Sequence, residues 1–235
     1  MLVVALVVGL VVWTGDDDQP SRAETASASQ TAADPGSPHG TTPADDPALQ
    51  YLVGKDGRPP ATEPTVVVTV VSDYQCPACR MFDLAYGSVL DEIGDTEGAA
   101  VLYIPISFLD RMSTDDYSSR AWNASVCVAN SVDPSRGFQQ WLAFHRALFR
   151  DQPAEGGPGL SNDTLLAMAG GPEVDVPGAD SCIRNFAYRS LFPRHASSAF
   201  DLGIPGTPGV LINDEVHDPS TPLALKRAVQ DALRG

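Results

Sequence analysis

Residues 65–79 read TVVVTVVSDYQCPAC. The first eight form a β-branched run of the kind expected for a strand buried on both faces. It stops at Asp73, and Cys76-Pro77-Ala78-Cys79 follows. Met81, Phe82, Leu84, Ala85, Val89, Leu90 and Ile93 then fall at amphipathic-helix spacing, closed by Gly94. A Cys-x-x-Cys pair at a strand-to-helix junction has a physical meaning. Cys76 is expected at the helix N-terminus, where unpaired backbone N–H groups and the positive end of the dipole stabilise a thiolate. Its pKa should then fall below the roughly 8.5 of free cysteine. Pro77 suits the first helical turn, where its missing N–H costs nothing. Cys79, one turn further in, is placed to attack a mixed disulfide formed at Cys76. Half of a zinc site is the structural alternative, but a closed site needs four ligands and no second CxxC or CxxH occurs, so no metal is expected.

Outward from this unit the pattern stays mixed. Residues 49–53 suggest a short edge strand and 54–57 a turn. Residues 99–108, AAVLYIPISF, suggest a second buried strand interrupted by Pro105. Residues 118–129, 138–150, 162–168 and 179–192 carry apolar positions at helical spacing with Gly and Pro between them. A strand pattern returns at 208–213 (PGVLIN), followed by a turn through 214–220 and a terminal helix at 222–233. The order implies an α/β fold with a helical block inserted between its two halves.

The N-terminal part differs. Residues 1–13, MLVVALVVGLVVW, are apolar and uncharged, about 20 Å long as a helix against a hydrocarbon core of roughly 30 Å. They read as an uncleaved anchor, with residues expected to be missing ahead of it. Residues 14–47 contain Asp16, Asp17, Asp18, Glu24, Asp34, Asp45 and Asp46 against the single base Arg22, and no large apolar residue. That composition predicts a disordered acidic linker with an r.m.s. reach of about 30 Å. The absence of a basic cluster after the anchor agrees with an exported C-terminal side, where disulfides persist. The formal charge of −15 disfavours nucleic acid and anionic lipid headgroups as partners.

Together with Gly203-Ile204-Pro205-Gly206-Thr207-Pro208 before the last strand, Asp73-Tyr74-Gln75-Cys76-Pro77-Ala78-Cys79 makes residues 48–235 resemble the DsbA-like family of thioredoxin-fold thiol–disulfide oxidoreductases, in its membrane-tethered actinobacterial form. The resemblance implies a thioredoxin-like domain from residues 48–112 and 203–235, with an inserted helical domain at 113–202. It implies that Pro208 is cis and lies against the active-site disulfide, and that the backbone of Thr207 pairs with the substrate chain. Without the family, Gly-Thr-Pro-Gly is an ordinary turn. It further implies a monomeric disulfide oxidase acting on exported proteins with free thiols. No bound cofactor is implied, and reoxidation falls to a quinone-linked membrane partner of the DsbB or vitamin K epoxide reductase type. A reductase or isomerase of the same fold, or a non-catalytic holdase, are the alternatives.

Two positions depart from the family's most oxidising member. Ala78 stands where that member has His, so less thiolate stabilisation is expected. Val70 stands where it has a buried Glu. Asp73 is nearer the pair and is either a proton acceptor or a solvated strand-end residue. Cys127 and Cys182, 55 positions apart, read as a structural disulfide in an exported protein, with two free buried thiols as the alternative. Relatives with a second bond in the insertion favour the pairing. His145 reads as a packing or surface residue; His39, His195 and His217 lack motif context.

Overall fold

Strand β2 (Val66–Asp73) occupies the middle of a sheet in a computed structural model that describes residues 49–132 and 137–235. The expected anchor and linker lie outside the described residues. Among those residues, no helix is long and apolar enough to cross a membrane. On one side β2 pairs in parallel with β3 (Ala99–Ile106), and on the other antiparallel with β4 (Gly209–Ile212). The short strands β1 (Tyr51–Val53) and β5 (Glu215–Val216) extend the sheet antiparallel at its two edges, giving the order β1-β3-β2-β4-β5. Parallel neighbours need a crossover, and helix α1 (Pro77–Gly94) supplies it between β2 and β3.

The pleat sends alternate residues to two cores. Val66, Val68 and Val70 join Val101 and Tyr103 in the larger core, with α1 and the helical block. Val71 joins Ile104, Ile106 and Leu211 on the opposite face. This two-sided burial is why β2 reads as a continuous apolar run.

Contrary to the expected interruption, β3 runs through Pro105, which lies opposite Ser72 in the parallel register. β1 begins opposite Tyr103 and runs back towards Val101, so beyond Tyr103 only β2 pairs with β3 and a residue lacking N–H is tolerated. The Pro105 carbonyl is satisfied from the helical block, by Trp122 Nε1 at 2.6 Å, and it lies 3.1 Å from His195 Nε2.

Between β3 and β4 come α2 (Tyr117–Ser131), α3 (Gln139–Arg150), α4 (Asn162–Ala169), α5 (Asp180–Arg184) and α6 (Phe192–Phe200). Trp141, Phe144 and Leu148 of α3 share the larger core with the sheet, and Trp141 lies 4.0 Å from Tyr51, centroid to centroid. The single helix expected over 179–192 is instead broken. α5 stops at Arg184, Phe186 adopts a left-handed φ of 54°, and a 3-10 turn at Arg189–Leu191 leads into α6. Pro193 lies in the first turn of α6, where a residue without N–H belongs, so it opens a helix rather than ending one. Ala196 and Ala199 of α6 cover Val71, Ile104 and Ile106. A disulfide joins Cys127 of α2 to Cys182 of α5, with Cα atoms 5.7 Å apart. Helix α7 (Pro222–Ala232) closes the fold, its Leu225 and Val229 in the larger core.

Candidate active site

The chain reverses sharply where β2 meets α1. The Asp73 carboxylate accepts from the Gln75 N–H at 2.8 Å, and the Asp73 carbonyl accepts from the Cys76 N–H at 3.0 Å. This side-chain-to-backbone turn sets Cys76 as the N-cap of α1 with Pro77 in the first turn. Both cysteines are free thiols; Cys76 is 7% exposed and Cys79 1%.

Facing them is the loop before β4. The Thr207–Pro208 peptide bond is cis, and the Cys76 sulfur lies 3.5 Å from the Thr207 carbonyl oxygen, within reach of a thiol donor. Pairing of Val71 with Gly209 fixes this approach, because it sets the start of β4 beside the end of β2.

The two thiols differ in acidity. Hydrogen bonding with Cys79 is the largest influence on Cys76. Together with Thr207 and the backbone of Cys79 and Ala78, it holds the Cys76 thiol down at about 5, against the opposing effect of burial. Burial first, and then Cys76 itself, pushes the Cys79 thiol far above the ordinary range. One sulfur is thus poised as a thiolate and the other kept protonated.

Asp73 is fully buried rather than solvated. Its second carboxylate oxygen accepts from the Phe108 N–H at 2.9 Å, the Leu109 N–H at 3.1 Å and the Ser118 hydroxyl at 2.7 Å. Burial outweighs these bonds and raises its carboxyl to about 6. Asp73 therefore ties the strand end to the entrance of α2 and titrates in a range where it can exchange a proton.

Tyr74, part of the motif around Cys76 but not among the expected site residues, is buried with its hydroxyl 2.8 Å from Ser125 Oγ and 2.9 Å from His145 Nδ1. Trp141 Nε1 donates to the same Ser125 oxygen at 2.9 Å. His145 Nε2 is 3.7 Å from an Asp83 carboxylate oxygen. Burial holds the His145 pKa down at about 3, so the imidazole is neutral and acts as a hydrogen-bonding packing residue. No local spacing signals this network, because its members come from the active-site turn and from helices 51 and 71 positions away.

The thioredoxin family model matches residues 60–231, nearly all of the described chain. The chain belongs to the thioredoxin family. Among solved structures it is similar to reduced DsbA of Mycobacterium tuberculosis, at 28% identity and a TM-score of 0.65, over 80% of this chain and 93% of that one. It is also similar to the reduced disulfide bond oxidoreductase DsbG of the same organism, at 29% identity and a TM-score of 0.64, over 80% and 88% of the two chains. Among curated proteins it is 30% identical over 169 residues to the serine/threonine-protein kinase PknE of M. tuberculosis. That match takes in 69% of this chain but spans only 29% of the kinase's length.

Proposed function

We propose that the chain is an extracytoplasmic thiol–disulfide oxidoreductase working as an oxidase, which passes a Cys76–Cys79 disulfide to exported proteins with free thiols. A single arrangement carries this assignment: an acidic Cys76 thiol 3.5 Å from the Thr207 carbonyl of a cis-proline loop, beside a buried Cys79 kept protonated. Stabilising the thiolate favours the dithiol over the disulfide, which makes the disulfide an oxidant.

In the oxidised protein a substrate thiolate attacks the Cys76 sulfur. The Cys76–Cys79 bond breaks, a substrate–Cys76 disulfide forms, and Cys79 leaves as a thiolate that takes up a proton. A second substrate thiolate attacks the substrate sulfur of that bond and releases Cys76 as a thiolate. Two electrons have then passed from substrate to the pair. Asp73 is assigned the exchange of the Cys79 proton as the buried carboxyl nearest in sequence to the pair: it titrates at about 6 and its backbone, not its carboxylate, is what reaches Cys79. Thr207 and Pro208 are assigned contact with the substrate backbone, and Pro77 and Ala78 shape the turn between the sulfurs.

No bound cofactor enters this cycle. Reoxidation is assigned to a quinone-linked membrane protein of the DsbB or vitamin K epoxide reductase type, with residues 1–13 as membrane anchor and 14–47 as tether. The test is direct transfer. Oxidised protein mixed without oxygen with a reduced multi-thiol protein is expected to yield one substrate disulfide for each Cys76–Cys79 pair reduced. No transfer overturns the assignment, and transfer only in the reverse direction moves it to a reductase.

A further inference from the structure

Gln152 lies just beyond α3, 76 positions from Cys76 in sequence, yet its amide nitrogen donates to the Tyr74 carbonyl at 2.9 Å and to the Cys76 carbonyl at 3.0 Å. Those two carbonyls flank the redox turn. Arg80, one helical turn after Cys76, reaches the opposite way. Its guanidinium donates to the Phe149 carbonyl at 3.0 Å and the Arg150 carbonyl at 3.4 Å, at the C-terminal end of α3. The Cys76 turn and the end of α3 are therefore cross-linked in both directions.

The geometry points to Gln152 as the positioning residue that holds the Tyr74–Cys76 turn and thereby stabilises the Cys76 thiolate. An amide N–H₂ shared between two carbonyls offsets the negative ends of two dipoles beside the sulfur and keeps the turn in the conformation that aims the α1 N–H groups at it. The groups acting on that sulfur are the Cys79 thiol and the backbone of Ala78 and Cys79 from α1, and Thr207 from the cis-proline loop. Of the charged neighbours, Asp73 directs its carboxylate to Gln75, Phe108, Leu109 and Ser118. Arg80 is engaged by the end of α3, and Asp151 pairs with Arg150 at 3.2 Å. Gln152 is thus a side chain of the helical block that bonds directly to the carbonyls on both sides of the redox turn.

This inference rests on the proposed redox role of Cys76, and the test separates the two. Alkylation rates of Cys76 in the reduced full chain, followed from pH 3 to 8 alongside thermal unfolding, report the thiolate directly. Gln152→Ala is expected to slow alkylation at pH 5 about five-fold, equivalent to a pKa rise of about one. Gln152→Glu, which sets a carboxylate against the two carbonyls, slows it further. Gln152→Lys keeps a donor of similar reach and retains at least the wild-type rate. A merely structural role would instead rank the variants by unfolding temperature, with Lys no better than Ala. An unchanged rate in Gln152→Ala, or equal rates in Gln152→Lys and Gln152→Glu, overturns the inference, and the second comparison decides alone if the Ala variant does not fold. An ordinary Cys76 acidity in the wild type overturns the functional assignment itself.

Discussion

Cys76→Ala is expected to reduce disulfide transfer to the background rate of the reagents, although Cys79 remains. With its thiol held down at about 5, Cys76 is mostly thiolate at pH 7. Cys79 is buried and its pKa is driven far upward, so it supplies almost no thiolate and is screened from an incoming chain. It cannot substitute. Cys79→Ala behaves differently: attack on a substrate disulfide by Cys76 still occurs, but the thiol that would resolve the product is gone, so the mixed disulfide accumulates and is visible on a non-reducing gel. Because hydrogen bonding with Cys79 is the largest influence holding the Cys76 thiol down, trapping by Cys79→Ala also requires a higher pH than attack by the wild type. A holdase would be indifferent to both changes. Full activity in the double variant on unfolded exported chains would therefore move the function from redox chemistry to binding.

The second large effect is on stability. Replacing Cys127 and Cys182 together by Ala is expected to cost about 4 kcal/mol on the chain-entropy account, because the bond closes a loop of 55 residues in the unfolded chain. Domains of this kind are stable by only about 5–15 kcal/mol, so the loss is a large fraction of the total. The bond ties α5 to α2, and Cys127 is itself fully buried in the larger core, which adds a packing loss on truncation. Urea unfolding of the double variant and the wild type, both with Cys76 and Cys79 reduced, measures the difference. A loss below about 1 kcal/mol would mean that the bond constrains the unfolded chain far less than its loop length implies.

How far these features could be read in advance depended on whether their causes were local. The β2–Cys76–α1 unit is legible because a β-branched run, an N-cap position and an amphipathic helix each leave a short-range pattern, and the sheet and crossover follow from it. The cis bond at Pro208 is not legible from its own residues, which form an ordinary turn motif; it enters through family resemblance. α6 was hidden for two reasons. Pro193 directly follows the helix expected over 179–192 and is in fact a start, and the buried face carries Ala196 and Ala199, too small to register as an apolar stripe. Asp73 could be placed at a strand end but not inside the protein, because beside the local Gln75 N–H the donors to its second oxygen lie 35, 36 and 45 positions away. The contacts of Tyr74, His145 and Gln152 are invisible in the sequence for the same reason: each is a hydrogen bond between distant segments that the helical block brings together.

The direction of electron flow is set by the reduction potential of the Cys76–Cys79 pair, which titration against glutathione measures. At pH 7 a value above about −200 mV is expected, as for oxidising members of the fold. The pH dependence follows from the thiols. Below about 5 both sulfurs take a proton on reduction, and the potential falls by about 59 mV per pH unit; above about 5 only Cys79 does, and it falls by about 30 mV. A potential well below about −200 mV at pH 7 would instead mark a reductant, and a slope that stays at about 59 mV per unit up to pH 8 would mark a Cys76 thiol of ordinary acidity.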